Sequence, residues 1–184
     1  GRCGGRTVAI NELGQYAPRG LAAGRMISAD PGLRGVGVAV FEGGQLVRAA
    51  RVKNPQQVER DMSAWRSMAT AVAVWLDPPA CDLFVCEAMQ AYRGGVSPVQ
   101  LFQVTGVSGA LAKAIDAKAY VMYPPRVWKR QIKQADLERI VRPLLTADEL
   151  SVIEPCPQNV AHDLWHGVGI GLFHCGRFDP SQYR

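Results

Sequence analysis

The sequence predicts an α/β domain: a mixed five-stranded sheet, an antiparallel meander followed by parallel strands, flanked by helices on both faces. Three observations lead there. Residues 26–53 carry strand-like alternation with no helical period. Beyond them, short apolar runs alternate with segments of helical spacing, in the order β-β-β-α-β-α-β-α-α. Finally, 184 residues at 48% hydrophobic content suffice for one domain with a substantial core, and neither a repeat nor a linker divides them.

The elements follow in order. Residues 1–25, with four Arg and many Gly but no clear period, are set apart as an N-terminal arm or an added segment, and residues 26–184 form the domain. "MISA" is a short apolar run ending at Asp30. "GVGVAVFEGG" alternates small and β-branched residues and turns at Gly43-Gly44, and "QLVRAARV" alternates again, so the three read as an antiparallel group. In residues 55–77, Val58, Met62, Trp65, Met68, Ala69, Val72 and Leu76 recur at helical spacing until Pro78-Pro79 ends the run. "DLFVCEAM" is a continuous apolar run broken by Glu87, as in a buried central strand. The next helix starts at Ser97 as N-cap, with Pro98 in its first turn. "KAYVMYPP" is a strand closed by prolines. "RVWKRQI" and "ADLERIVRPLL" read as two basic helical pieces, and "PQNVAHDLWHGVGIGLFHCG" as a last helix whose Gly167, Gly169 and Gly171 allow close packing.

Composition narrows the function classes. No apolar run approaches the ~18 residues of a membrane span, and the N-terminus lacks the apolar stretch of a secretory signal. Five scattered Cys without a C-x-x-C pair read as reduced thiols, mostly core filler, which fits a cytoplasmic protein. A formal net charge of +5 suits a polyanionic partner without requiring one.

Three acids stand out. Glu59, Asp61, Glu138, Asp148 and Glu149 lie in polar contexts and read as solvated. Asp30 instead ends a strand, Glu87 interrupts an apolar run, and Asp163 opens an apolar helix. A carboxylate among core residues needs a basic partner, hydrogen bonds or a metal ion. If the strands of Asp30 and Glu87 are neighbours, both acids meet at one sheet end, where a helix packed across it delivers Asp163. Carboxylates so close repel one another, and divalent cations with a preference for hard oxygen ligands relieve that repulsion. Structural alternatives stand beside each: Asp30 as a D-P-G turn residue, Glu87 paired with Arg93, Asp163 capping its helix.

These motifs resemble those of the RuvC-like Holliday junction resolvases of the RNase H-like superfamily, most closely their short phage-type members. The resemblance rests on "SADPGLRGVGVAVFEGGQLV", "DLFVCEAMQAYRGG", "LFQVTGVSGALAKAI", "VMYPPRVWKRQIK" and "DLWHGVGIGLFHC", and covers about residues 26–177. It implies an RNase H-like fold and a Mg²⁺-dependent endonuclease, Mn²⁺ substituting, that resolves branched DNA by paired phosphodiester hydrolysis. Asp30, Glu87 and Asp163 would be metal ligands, with His166 in the fourth acidic position, a departure from the commonest D-x-x-D form. The segment between "WKRQIK" and "NVAHD" is also shorter and less Gly-rich than in many relatives. Two ions about 3.5–4 Å apart can activate water and stabilise the departing oxyanion, so no protein nucleophile is needed. By the same resemblance Lys129 offsets charge at the phosphate. On the same basic stretch Arg126, Arg130 and Lys133 are expected to grip flanking phosphates, and just past Glu87 Tyr92 is expected to stack on or wedge apart bases, with Arg93 beside it on the DNA. The basic stretch reads alternatively as a solvated helical face, Tyr92 as a packed surface residue, and Trp128 as core. A homodimer is implied because two nicks on a near-symmetric junction need two sites; the apolar faces of the 56–76 and 97–115 helices serve either that contact or the internal core.

Three rival readings remain. "HDLWH" spaces His162 and His166 like a zinc hydrolase helix, with His174 or Cys175 as third ligand. A catalytically idle junction-binding protein is suggested by His166. Another nuclease of the superfamily, an RNase H, packaging or flap enzyme, shares the acids, since substrate geometry is set elsewhere.

Overall fold

The computed structural model describes residues 24–55, 62–88 and 98–183, with the side chains of 98 and 100 left aside. It contains the five strands expected: β1 (Arg25–Asp30), β2 (Gly35–Glu42), β3 (Gln45–Lys53), β4 (Cys81–Glu87) and β5 (Ala117–Tyr123). They form one sheet in the order β3-β2-β1-β4-β5. The β1–β2 and β2–β3 pairs are antiparallel, and the β1–β4 and β4–β5 pairs are parallel. The helices are α1 (Met62–Leu76), α2 (Pro98–Ala114), α3 (Pro125–Trp128), α4 (Gln134–Val141), α5 (Ala147–Ser151) and α6 (Ala161–His174).

Burial explains the sequence pattern. β1 and β2 lie inside the sheet and are covered on both faces, so β2 is buried from Gly35 to Phe41. The edge strand β5 alternates exposed and covered residues along its first half. The other edge, β3, bonds to the 152–154 segment through Ala49, which blunts its free hydrogen-bonding groups.

Two cores sandwich the sheet. On one face Trp65, Met68, Ala69, Val72 and Leu76 of α1 and Val107, Leu111 and Ile115 on the α2 side pack against Ile27, Ala29, Val38, Phe84 and Cys86. On the other, α6 with α4 and Trp128 covers Met26, Ala39, Phe41, Val85, Val121 and Tyr123. The apolar spacing of α1 is thus spent on internal core. Met62 and Val74 of that helix, and Val99 and Phe102 of α2, remain exposed. Cys81, Cys86 and Cys175 are buried free thiols and Cys156 is a half-buried one, as expected of core filler. No helix among the described residues is long and apolar enough to cross a membrane.

Two expectations need correction. Glu149 is not solvated but 4% exposed. It closes a capping box with Thr146, accepts from the Leu46 amide at 2.9 Å and pairs with Arg177 at 2.7 Å. Those contacts, the Arg177 bond foremost, hold its carboxyl down at about 2. The basic piece "RVWKRQI" is helical only through Trp128; Lys129 caps α3 and Arg130 has a φ of 50°, outside helical space.

Candidate active site

The site begins with strand register. Ala29 of β1 lies beside Cys86 of β4 in the parallel pair, so the next residues, Asp30 and Glu87, end adjacent strands at the same height. Side chains alternate between faces. Ile27 and Ala29 face α1 and α2, while Met26 faces α6. Ser28 also faces α6, its hydroxyl donating to the Gly167 carbonyl at 2.7 Å. Asp30 therefore projects towards α6, and Glu87 follows Val85 to the same face. Residues 31–34 then turn the chain into β2, where Gly37 pairs with Asp30. Asn54 pins that turn by donating to the Leu33 carbonyl at 3.2 Å. Asp30 is thus the last residue of β1, directly before that turn.

The helix arrives because glycines let it. A Cβ on Gly37 would lie 1.7 Å from the carbonyl oxygen of Asp163, and one on Gly167 would lie 2.6 Å from that of Gly37. This backbone-to-backbone approach sets the first turns of α6 over the ends of β1 and β2, and brings His166 down to the acids.

Donor atoms of Asp30, Glu87 and His166 all lie within 4.8 Å of one another. His166 Nδ1 is 3.2 Å from Asp30 Oδ2, and its ring stands edge-on to the Trp128 indole. Lys129 Nζ is 3.1 Å from Glu87 Oε2 and 3.4 Å from His166 Nδ1. Trp128, fully buried, donates its indole N–H to the same Glu87 oxygen at 2.8 Å. Burial lifts the Glu87 carboxyl above the usual range and the Asp30 charge adds to this, while Lys129 and His166 oppose it.

Asp163 sits apart from this trio. Its Oδ2 accepts from Arg51 Nε at 2.6 Å, and its Oδ1 lies 3.0 Å from His162 Nε2. Of the other residues singled out, Lys129 joins the site. Arg126, Arg130 and Lys133 are exposed, on α3 or just beyond it. Tyr92 and Arg93 lie outside the described residues. The zinc set fails to assemble: His174 is committed to the Tyr123 hydroxyl at 2.9 Å, and His162 is absent from the cluster of metal-binding groups.

Sequence reasoning missed two participants. Trp128 was read only as core, yet its indole orients Glu87. Arg51 was not singled out, although its signal is an arginine on the inward face of β3, two residues beyond buried Ala49. An inward charge needs a partner.

The trio could hold a divalent cation. Two carboxylates and an imidazole supply an oxygen-rich set that suits Mg²⁺ and, through the nitrogen, Mn²⁺. Two features of the chain support the fit. The Lys129 ammonium already stands among these donors as a positive charge. His166 turns its Nδ1 towards Asp30 and Lys129, so that nitrogen is the ring atom facing the site, while its Nε2 is buried without a hydrogen-bond partner among the described residues.

Among solved structures, Thermus thermophilus RuvC in complex with Holliday junction substrate matches over 82% of this chain and 91% of that one, with a TM-score of 0.53 at 18% identity. The fold is RuvC-like. A second Thermus thermophilus RuvC structure gives a TM-score of 0.51 at 19% identity, over 82% of this chain and 92% of that one. The yeast mitochondrial Holliday junction resolvase Ydc2 gives 0.47 at 10% identity, over 92% of this chain and 84% of that one. No protein-family model and no curated protein matches the sequence. The likeness lies in the mixed five-stranded sheet with its helices.

Proposed function

We propose that this protein is a divalent-metal-dependent, structure-selective endonuclease of the short phage-type RuvC kind, cutting Holliday junctions and related branched DNA by paired phosphodiester hydrolysis. The observation that carries the reading is the convergence of Asp30, Glu87 and His166 within 4.8 Å at the end of two adjacent parallel strands. Mg²⁺, or Mn²⁺ in its place, would supply Lewis acidity at the scissile phosphate and a more acidic bound water. Two ions per site are proposed, the second calling on Asp163.

The remaining work belongs to the chain. Asp30 and Glu87 hold negative charge at a fixed spacing, and Trp128 orients the Glu87 carboxylate through its indole N–H. Lys129, half-enclosed beside Glu87, would face the non-bridging oxygens of a bound phosphate. Arg126, Arg130 and Lys133, exposed and without ion-pair partners among the described residues, would hold flanking phosphates, and Tyr92 and Arg93 would extend that contact. A homodimer is proposed for the paired nicks, with exposed Val99 and Phe102 of α2 and Met62 and Val74 of α1 as its apolar contact. The setting would be the cytoplasm, where such DNA lies.

The test compares nicking of a four-way junction, a flap, a linear duplex and an RNA–DNA hybrid by the wild type and Asp30→Asn in Mg²⁺ and in Mn²⁺. Junction cutting that falls at least ~100-fold in the variant is expected, since one of only three clustered donors loses its charge. Equal activity in both proteins would remove the site. Junction binding without cutting by the wild type would leave the idle binding protein, and preference for the hybrid an RNase H.

A further inference from the structure

The row of residues at the active end of the sheet contains one group that the proposed reaction does not explain. Arg51 of β3 pairs in register with Gly37 of β2, which pairs with Asp30 of β1. Gly37 leaves a gap in this row, and the backbone of Asp163 fills it from above. Asp163 therefore stands between Arg51 on one side and the Asp30–Glu87–His166 trio on the other.

Its side chain turns to Arg51. The Arg51 side chain is 8% exposed, and its Nε donates to Asp163 Oδ2 at 2.6 Å. The guanidinium lies in a place made for it: a Cβ on Gly35 would come within 2.5 Å of its Cζ and Nη2. The other oxygen, Oδ1, faces His162 Nε2 at 3.0 Å. Both carboxylate oxygens thus have partners outside the trio, whose own members are paired with one another, Lys129 and Trp128. Counting charges across the row, three carboxylates (Asp30, Glu87, Asp163) face two fixed cations (Lys129, Arg51). That balance leaves little attraction for a second dication once the first has bound.

We propose that Arg51 is a positioning residue that makes cation loading stepwise. Asp30, Glu87 and His166 take a first divalent ion without any change at Asp163. Asp163 serves a second only after giving up its bond to Arg51, so Arg51 weakens that second site. This inference rests on the metal-dependent reading above.

The experiment titrates Mn²⁺ alone into the full chain by calorimetry, with electron paramagnetic resonance counting bound ions. The wild type is expected to show one tight site and one much weaker. Arg51→Met should tighten the weak site about tenfold and leave the tight one within about twofold, because a full charge has gone from beside one ligand only. Arg51→Lys keeps the charge and should restore the wild-type isotherm, which a purely structural role for the guanidinium would not predict. Asp163→Asn should abolish the weak site alone, and this variant decides the matter even where Arg51→Met fails to fold. Two equal sites in the wild type, an unchanged weak site in Arg51→Met, or an intact weak site in Asp163→Asn would each overturn the inference while leaving the metal-dependent reading in place. No tight Mn²⁺ site at all would overturn both.

Discussion

Replacing Gly37 with alanine tests whether the site depends on contact between a strand and a helix backbone. The new Cβ would lie 1.7 Å from the Asp163 carbonyl oxygen and 2.8 Å from the Leu164 nitrogen, where ordinary contact begins at 3.4 Å. Neither obstacle is a flexible side-chain end. β2 is held by hydrogen bonds to β1 on one side and β3 on the other, so α6 must yield, by about 1.5 Å. That retreat carries His166 away from Asp30, from which it now stands at 3.2 Å, and stretches the Ser28–Gly167 bond. Overpacking of this kind costs about 1–3 kcal/mol, and a misplacement of about 1 Å at a reacting centre costs about 100-fold in rate. The expected result is a folded protein with a lowered Tm, Mn²⁺ affinity down at least tenfold, and junction nicking down about 100-fold. Gly109→Ala is the control: its Cβ meets nothing within 4 Å inside α2, so stability should hold or rise slightly. Wild-type Mn²⁺ affinity and nicking in Gly37→Ala would refute the claim that this close approach builds the site.

Two further substitutions probe what surrounds it. Glu149→Gln removes a charge that Arg177 holds at 2.7 Å, with the Glu149 side chain 5% exposed. Its carboxyl is depressed from 4.5 to about 2, equivalent to about 3 kcal/mol at neutral pH. Because the folded-state value is the lower one, this stabilisation is complete above 4.5 and is lost as pH falls towards about 2. Urea melts should therefore show the variant less stable by about 3 kcal/mol at pH 7 and by only about 1 kcal/mol at pH 3; a difference that does not shrink with acid would contradict the pairing. Trp128→Phe deletes the indole donor to Glu87, a hydrogen bond to a charged group worth about 1.5–3 kcal/mol. The Glu87 carboxyl, already raised by burial, should rise further, so the acid limb of Mn²⁺ binding should move to higher pH. An unmoved limb would mean that the indole only fills space.

The fold was legible because its signals are local. Alternation and Gly-Gly punctuation mark β1 to β3, and helical spacing ended by Pro78-Pro79 marks α1. Glu149 was not legible, since its neighbours in "ADELS" are polar while the groups that bury it are distant in sequence. Arg177 is 28 residues away, and the Leu46 amide 103. Arg130 failed for a related reason: the basic run has helical composition, but the chain leaves helical space after Trp128 to lay Lys129 beside Glu87.

Asp30 and Glu87 could be found because an ionised group in an apolar strand demands compensation, and two such strands side by side demand it at one place. Asp163 met the same test, yet its compensation is a guanidinium on β3 rather than the other acids' company. The difference lies in register. Arg51, Gly37 and Asp30 occupy one cross-strand row, and only the missing side chain at Gly37 lets Asp163 reach between the outer two. Which neighbour Asp163 chooses then depends on charge, since Arg51 offers a full positive charge where Asp30 offers a like one. A divalent ion among the trio, as proposed, would reverse the sign on that side and leave the same carboxylate between two positive centres, with the register of three strands setting how far it would have to move to serve either.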